Sequence, residues 1–297
     1  MHVLFLVGTT ASGKSQMAMR LAEKFAAEIV NADSIQVYEG LDIGSAKPSA
    51  KDFEAIPHHL YSHVPKGKVY TAGDYEKEAL RVLENIKAPL AIVVGGSGFY
   101  LQALEKGMFD AAKPSPEIKQ KMEERMQEEG AEKLYHELMD QDPAYAKRIS
   151  IHDSYRILRA HELLLQNKMP SDLKQDFQVR EFPYPYLKIG MDVPKEILRQ
   201  RVAQRTEKML AEGLIEETRS LIDLGFEEWP ALNSVGYREV KEYLRGELVK
   251  EDLPEKITTK TMQLAKKQRT WFRRDVNINW LQKYEDAEEL LQYFLKR

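Results

Sequence analysis

The sequence predicts an α/β protein: a core built on a mainly parallel sheet covered by helices, into which an all-helical domain is inserted. Two observations carry this. Over the first hundred residues short apolar runs alternate with segments of helical periodicity, the pattern of strands joined by crossover helices. From about Asp110 to Pro185 the strand-like runs cease, and charged, helix-favouring sequence replaces them. Residues 1–110 and 186–297 are therefore expected to form one core, with a basic helix near its C-terminal end, and residues 111–185 the insertion. At 297 residues, with 43% hydrophobic and 31% charged content, the chain is ample for a sizeable core and a solvated surface.

Taken in order, Met1–Val7 reads as a short buried strand. Beyond a glycine-containing loop, Met17, Leu21, Ala22 and Phe25 recur at helical spacing. Glu28–Ala32 reads as a second strand ending at Asp33-Ser34, His58–Val64 as a third, and Pro89–Val94 as a buried strand ending at Gly95-Gly96-Ser97. Helices are expected at Thr71–Ile86 and after Ser97. Pro114-Ser115-Pro116 opens the insertion, where Lys119–Met126, Ala131–Asp140 and Tyr155–Asn167 show helical patterning. Phe182–Pro185 reads as the linker back to a core strand at Leu187–Val193. Helices follow at Glu196–Glu212, Ile215–Leu224, Arg238–Leu244 and Glu255–Arg274, with Asn277–Leu281 as a late edge strand.

The loop after the first strand, Gly8-Thr9-Thr10-Ala11-Ser12-Gly13-Lys14-Ser15, fits Gly-x-x-x-x-Gly-Lys-[Ser/Thr] without deviation, and its strand and helix flanks are those the motif requires. The core is accordingly expected to be P-loop NTPase-like, with ATP among the ligands its motif suggests. Gly8 and Gly13 let successive N–H groups converge on one anion, and the new helix adds its unpaired first-turn donors. Lys14 brings a full charge, while the Ser15 hydroxyl is the usual ligand for a Mg2+ ion bridging phosphates. Ligands of such sheets sit outside the carboxyl ends of the strands, so Gly8, Asp33 and Gly95–Ser97 should converge on one site. By residue type Asp33 suits a turn or helix cap, or a carboxylate working beside the phosphates. Its place at a strand end favours the second.

Composition narrows the setting. The chain has no cysteine, which excludes disulfides, thiolate chemistry and cysteine-ligated zinc. A net charge of −3 gives no global attraction to nucleic acid or anionic membrane, so such contacts would need local basic patches. No apolar run approaches the length of a membrane span, and a strand expected from residue 3 leaves no place for a leader, so a cytoplasmic protein is expected. His58, His59 and His63 invite a metal reading. In a strand only His59 and His63 would share a face, and no acidic partner is close in sequence, so a structural or ligand-lining role is expected.

Asp33-Ser-Ile-Gln-Val-Tyr-Glu-Gly-Leu-Asp-Ile-Gly-Ser-Ala-Lys-Pro48, together with Gly8–Ser15, closely resembles the signature of tRNA dimethylallyltransferases. Further matches are Pro57–Leu60, Val94–Ser97, Asp153–Ala160, Gly190–Val193, Ser234–Glu239 and Lys266–Arg273, so the resemblance covers about residues 3–281. It implies transfer of a dimethylallyl group from dimethylallyl diphosphate to the exocyclic N6 of the adenosine at tRNA position 37, 3′ of the anticodon. The loop and Arg205 would hold the diphosphate with Mg2+, Asp33 would serve as general base, and Ser97 would orient a reactant. Ser97 stands where the family usually has threonine, Ser15 and Ser45 replace frequent threonines, Thr9 a frequent proline, and His161 a usual leucine.

The resemblance also implies a tRNA surface. Its parts are Asp33, Ser34, Ile35 and Gln36, whose amide suits reading of a base edge; Tyr155, Arg156, Ile157, Leu158 and Arg159; and Asn233, Ser234, Val235, Gly236, Tyr237 and Arg238. The last part is Lys266, Lys267, Gln268, Arg269, Thr270, Trp271, Phe272 and Arg273. Lys266, Arg269 and Arg273 form a basic stripe with Trp271 interleaved, suited to gripping phosphates. The anticodon stem-loop is expected to be clasped between core and insertion, its target base extruded from the stack. Nothing in the sequence demands more than a monomer. Two rival enzyme classes remain: a small-molecule kinase, and a prenyltransferase of free AMP, ADP or ATP.

Overall fold

The computed structural model describes residues 1–108, 114–172 and 179–296. The chain divides into two compact units, Met1–Lys106 with Glu181–Arg297, and Gly107–Arg180. The expected boundary at 110/111 lies outside the described residues.

In the first unit β1 (His2–Gly8) runs into α1 (Lys14–Phe25), then β2 (Glu28–Asn31), α2 (Ala50–Ala55), β3 (His58–His59), α3 (Ala72–Asn85), β4 (Leu90–Gly95) and α4 (Gly98–Lys106). Six parallel strands form the sheet in the order β3-β2-β4-β1-β5-β6, where β5 is Tyr186–Met191 and β6 is Asn279–Leu281. Central β1 and β4 are apolar almost throughout and buried, as both-face coverage requires. Their register, Leu4 opposite Ile92 and Leu6 opposite Val94, ends both strands together at the phosphate loop and at Gly95.

Gly95 is needed at that end. A Cβ there would lie 2.0 Å from the Ala32 carbonyl oxygen, because the chain leaving β2 crosses directly over it. Ala32 N–H donates to Val94 O (2.8 Å) and Ser97 N–H to Ala32 O (3.2 Å), so the ends of β2 and β4 are bonded together.

The expected third strand shrinks to His58–His59, followed by a lone bridge between Tyr38 and Val64. The turn at Leu60 and Ser62, both at positive φ, breaks the extended run. One helix passed over in the sequence reading closes the core. Tyr284–Leu295 buries Ala287 and Leu291 completely, in one apolar cluster with Leu4, Leu21, Ile29 and Ile92. Each such leucine contributes about 1.5–3 kcal/mol of burial.

In the second unit Pro116–Gln141 (α5) is broken at Gly130, whose backbone is not helical (φ 81°, ψ 163°), so the two helices expected lie on either side of that kink. Arg125 spans the bend, bonded to Glu129 (2.6 Å) and Glu137 (2.8 Å). After the short α6 (Pro143–Ala146), α7 (Ser154–Leu164) packs Ile157 and Ala160 against α5 residues Leu134 and Leu138. His161 is buried, its Nε2 2.8 Å from Leu134 O, so the unusual histidine ties α7 to α5.

Candidate active site

Three strand ends meet where the sequence placed them. The phosphate loop closes at Gly13, whose φ of 91° lies in the left-handed region that glycine enters without strain. Ala11 also sits there (φ 59°), which costs a non-glycine residue about 1–2 kcal/mol. Lys14 Nζ curls back to donate to Thr9 O (3.2 Å). Burial pulls its pKa down to about 8; Asp33 opposes that shift and Arg205 adds to it. Ser15 is exposed and its hydroxyl has no hydrogen-bond partner among the described residues, so it is placed to ligate a cation that a bound diphosphate would bring.

One helix, α8 (Lys195–Ala211), grips the loop from outside. Arg205 Nη1 donates to Thr10 Oγ1 (3.0 Å) and Arg201 Nη1 to Ser12 O (3.3 Å), one turn apart. Burial lowers the Arg205 pKa, with Asp33 opposing, but a guanidinium stays charged. Lys14 and Arg205 therefore share Asp33 as the acidic group that acts on both.

The Asp33 turn is built by residues the motif reading passed over. Asn31, fully buried, accepts from Asp33 N–H (3.0 Å) and donates to Asp33 O (3.2 Å) and Leu60 O (2.9 Å). Asp33 Oδ1 accepts from Ile35 N–H (2.9 Å), leaving its second oxygen for a reactant. Ser97 Oγ accepts from Ser34 N–H (2.8 Å) and donates to Ser34 Oγ (3.1 Å). Its hydroxyl thus holds the turn, where the sequence suggested contact with a reactant.

The expected RNA-facing residues separate into exposed and inward sets. The Gln36 amide nitrogen donates to Ser45 O (3.0 Å) and Ala46 O (3.1 Å), so its two N–H groups close its own loop. Ile157 belongs to the core of the second unit, while Tyr155 and Arg156 are exposed. Arg159 is paired with Glu162 (2.9 Å). Asn233 O accepts from Arg238 (2.7 Å), Ser234 Oγ donates to Ala231 O (2.7 Å), and Tyr237 is wholly buried.

On the basic helix Leu253–Phe272, Lys266 and Lys267 face solvent. The expected stripe stops there. Arg273 pairs with Asp192 (2.8 Å) and lies over the Trp280 ring (4.4 Å); Arg269 donates to Val193 O (2.5 Å); and Phe272 is buried. Gln268 bridges inward, accepting from Thr10 N–H (2.8 Å) and donating to Gly96 O (3.0 Å). Trp271 covers Gly98, where a Cβ would meet the indole at 2.2 Å. This helix therefore braces the phosphate loop as well as presenting charge.

Two of the three histidines have acidic neighbours from elsewhere in the chain. His59 Nε2 lies 2.7 Å from Glu28, and His63 Nε2 2.8 Å from Glu78, carboxylates too distant in sequence to be noticed. Beside the loop a cavity of about 390 Å³ shares Ser12 and Gly13 with it and includes Arg20, Arg201 and Tyr284, but not Lys14, Asp33 or Arg205. Among the described residues no helix is long and apolar enough to cross a membrane.

Comparison with known proteins agrees with this geometry. A family model described as IPP transferase matches residues 36–275, a span that begins just beyond Asp33. A tRNA dimethylallyltransferase of Bdellovibrio bacteriovorus is 46% identical over 303 residues, covering 99% of this chain and 98% of its own. Among solved structures, the full-length tRNA isopentenylpyrophosphate transferase of Bacillus halodurans superposes with a TM-score of 0.73 at 27% identity, over 99% of this chain and 97% of that one. A eukaryotic dimethylallyltransferase acting on tRNA gives 0.76 at 27% identity, over 95% and 73%.

Proposed function

The chain belongs to the IPP transferase family, and on that premise we propose that it transfers the dimethylallyl group of dimethylallyl diphosphate to the N6 amine of adenosine 37 in the tRNA anticodon loop, in the cytoplasm and as a monomer. The observation that carries this reading is the arrangement of Lys14, Arg205 and Asp33: two cations on a phosphate loop, with a carboxylate set against both.

The chemistry follows from the residues. The loop's N–H groups, Lys14 and Arg205 hold the diphosphate and offset the charge it gains as the allylic C–O bond breaks. The bonding pair leaves with the diphosphate oxygen. The N6 nitrogen forms the new bond to carbon and yields its proton to the free Asp33 oxygen, which the Asn31 and Ile35 bonds aim. Ser15 would hold a Mg2+ ion, which when bound would further neutralise the diphosphate. Tyr155, Arg156, Lys266, Lys267 and Trp271 are among the exposed groups suited to stacking and phosphate contact with RNA. The relatives' names support tRNA as acceptor over free nucleotide, and prenyl transfer over phosphoryl transfer.

The test supplies labelled dimethylallyl diphosphate and magnesium with unmodified tRNA, with AMP and ATP in parallel. Label entering tRNA at that one adenosine is the expected result. Label in free nucleotide, or ATP consumption without transfer, would overturn the reading.

A further inference from the structure

The Ser234–Glu239 motif turns inward, and what it turns toward suggests another role. Glu217, on the helix Leu214–Asp223 (α9), accepts from three successive backbone N–H groups: Asp42 (3.0 Å) and Ile43 (2.9 Å) on Oε2, and Gly44 (3.1 Å) on Oε1. Successive N–H groups converging in this way form a nest that attracts an anion, and here a side chain of the protein fills it. Tyr237 O–H donates to the same carboxylate at 2.6 Å. Burial and the adjacent Glu217 hold that hydroxyl's pKa far above its ordinary value, so it remains a donor at any working pH.

The seat is also tight. A Cβ on Gly44 would come within 2.4 Å of the Tyr237 ring and 2.7 Å of Leu214, so the loop backbone lies directly on the aromatic face. The motif's other residues fix Tyr237 in turn: Glu239, buried, accepts from Gly236 N–H (2.7 Å) at the start of the helix Tyr237–Leu244. From the clasped segment hydrogen bonds run back to Gln36 and Tyr38. Gln36 Nε2 binds Ser45 O and Ala46 O, and Lys47 Nζ binds Tyr38 O (2.5 Å), Asp42 (2.7 Å) and Ser62 (2.7 Å). Gln36 lies three residues past Asp33 in the same loop.

We propose that Glu217 and Tyr237 are positioning residues for the acceptor: they clasp Asp42–Gly44 and thereby set Ser34–Gln36 for the RNA without touching it. This rests on the reading of the Asp33–Gln36 segment as the part that faces the tRNA acceptor. The Ser234–Glu239 motif then serves RNA selection through a loop nearly two hundred residues earlier in the chain.

The experiment uses the full chain with Glu217→Gln and Tyr237→Phe. The first keeps shape but replaces one acceptor oxygen by a donor, and the second removes a single hydroxyl. Hydrogen exchange of residues 41–46 should quicken in both, while residues 8–15 keep their wild-type protection. In steady-state transfer, kcat/KM for tRNA should fall about tenfold in Glu217→Gln and about threefold in Tyr237→Phe, with KM for dimethylallyl diphosphate unchanged. Faster loop exchange with unchanged tRNA kinetics would overturn the proposal, as would equal losses for both substrates, which would mark a general scaffold. If Glu217→Gln fails to fold, Tyr237→Phe alone decides between these outcomes. Wild-type protein run alongside separates the two readings: transfer only to free nucleotide overturns the tRNA assignment and this proposal together, whereas normal wild-type transfer leaves the clasp alone at stake.

Discussion

The phosphate loop and the loop that follows β2 leave the same end of the sheet, with the end of β4 between them, yet they are shaped differently. Gly8–Ser15 takes its backbone shape from its own residues, a glycine at positive φ, a helix start and a lysine folded back on Thr9, and is braced from outside by Arg201, Arg205 and Gln268. The Asp33–Lys47 loop is held from outside, by Asn31 beneath it, Ser97 from β4's end, and Glu217 and Tyr237 from the far end of the chain. A diphosphate is a compact, highly charged ligand that a short run of N–H groups can satisfy. A base in an RNA loop has to be placed in angle and depth, and that needs supports converging from several elements. On the proposed function, the N–H cradle for the anion is thus local in sequence, Arg205 joins it from a distant helix, and acceptor placement draws on more elements still.

Substitutions can sharpen or break that contrast, and the largest effect belongs to the loop held from outside. Asp33→Ala should lower kcat by about a hundred- to ten-thousandfold with tRNA affinity little changed, read by single-turnover transfer and filter binding. Near-wild-type turnover would remove Asp33 as the base.

In the phosphate loop, Lys14→Ala should raise KM for dimethylallyl diphosphate about 10- to 100-fold while leaving tRNA affinity alone. Because the free enzyme's Lys14 has its pKa lowered to about 8, the protonated, binding form is lost as pH rises through that value. Wild-type KM for the diphosphate should therefore stay flat below pH 8 and climb above it by about tenfold per unit. The substitution should abolish that climb.

Asn31→Ala removes a buried amide that serves both Asp33 and Leu60, so it should cost about 2 kcal/mol in denaturant unfolding and lower kcat about tenfold. Unchanged turnover would mean that the Asp33 turn holds itself. The smallest effects concern the basic helix Leu253–Phe272. Lys266→Ala with Lys267→Ala should weaken tRNA binding across all sequences and reduce the slope of log affinity against log salt by about 1.5. Arg273→Ala, whose guanidinium is already paired with Asp192, should leave that slope nearly unchanged.

The same contrast explains what could be read in advance. The apolar strands, the glycine loop and the strand-end placement of Asp33 were legible because each depends on neighbours in sequence. The family resemblance added Arg205, which spacing alone does not distinguish from a solvated arginine. Asn31 carried no signal beyond being a buried polar residue at the end of a strand. The third strand is shorter than its sequence suggests because Leu60 and Ser62 adopt positive φ, which their residue types do not announce. Tyr284–Leu295 was passed over although Ala287, Leu291 and Leu295 keep a helical stripe.

What the sequence by itself determined is the chemistry on offer: a phosphate cradle, a carboxylate beside it, an α/β core and a helical insertion. Those depend on backbone geometry and short-range periodicity. Only the tertiary structure decided which polar groups were already spent. Ser97, Gln36, Gln268, Tyr237, Arg269 and Arg273 all suit a ligand by type, and all are bonded within the protein. A side chain's donors and acceptors are fixed by its identity, but their partners are set by packing between elements distant along the chain.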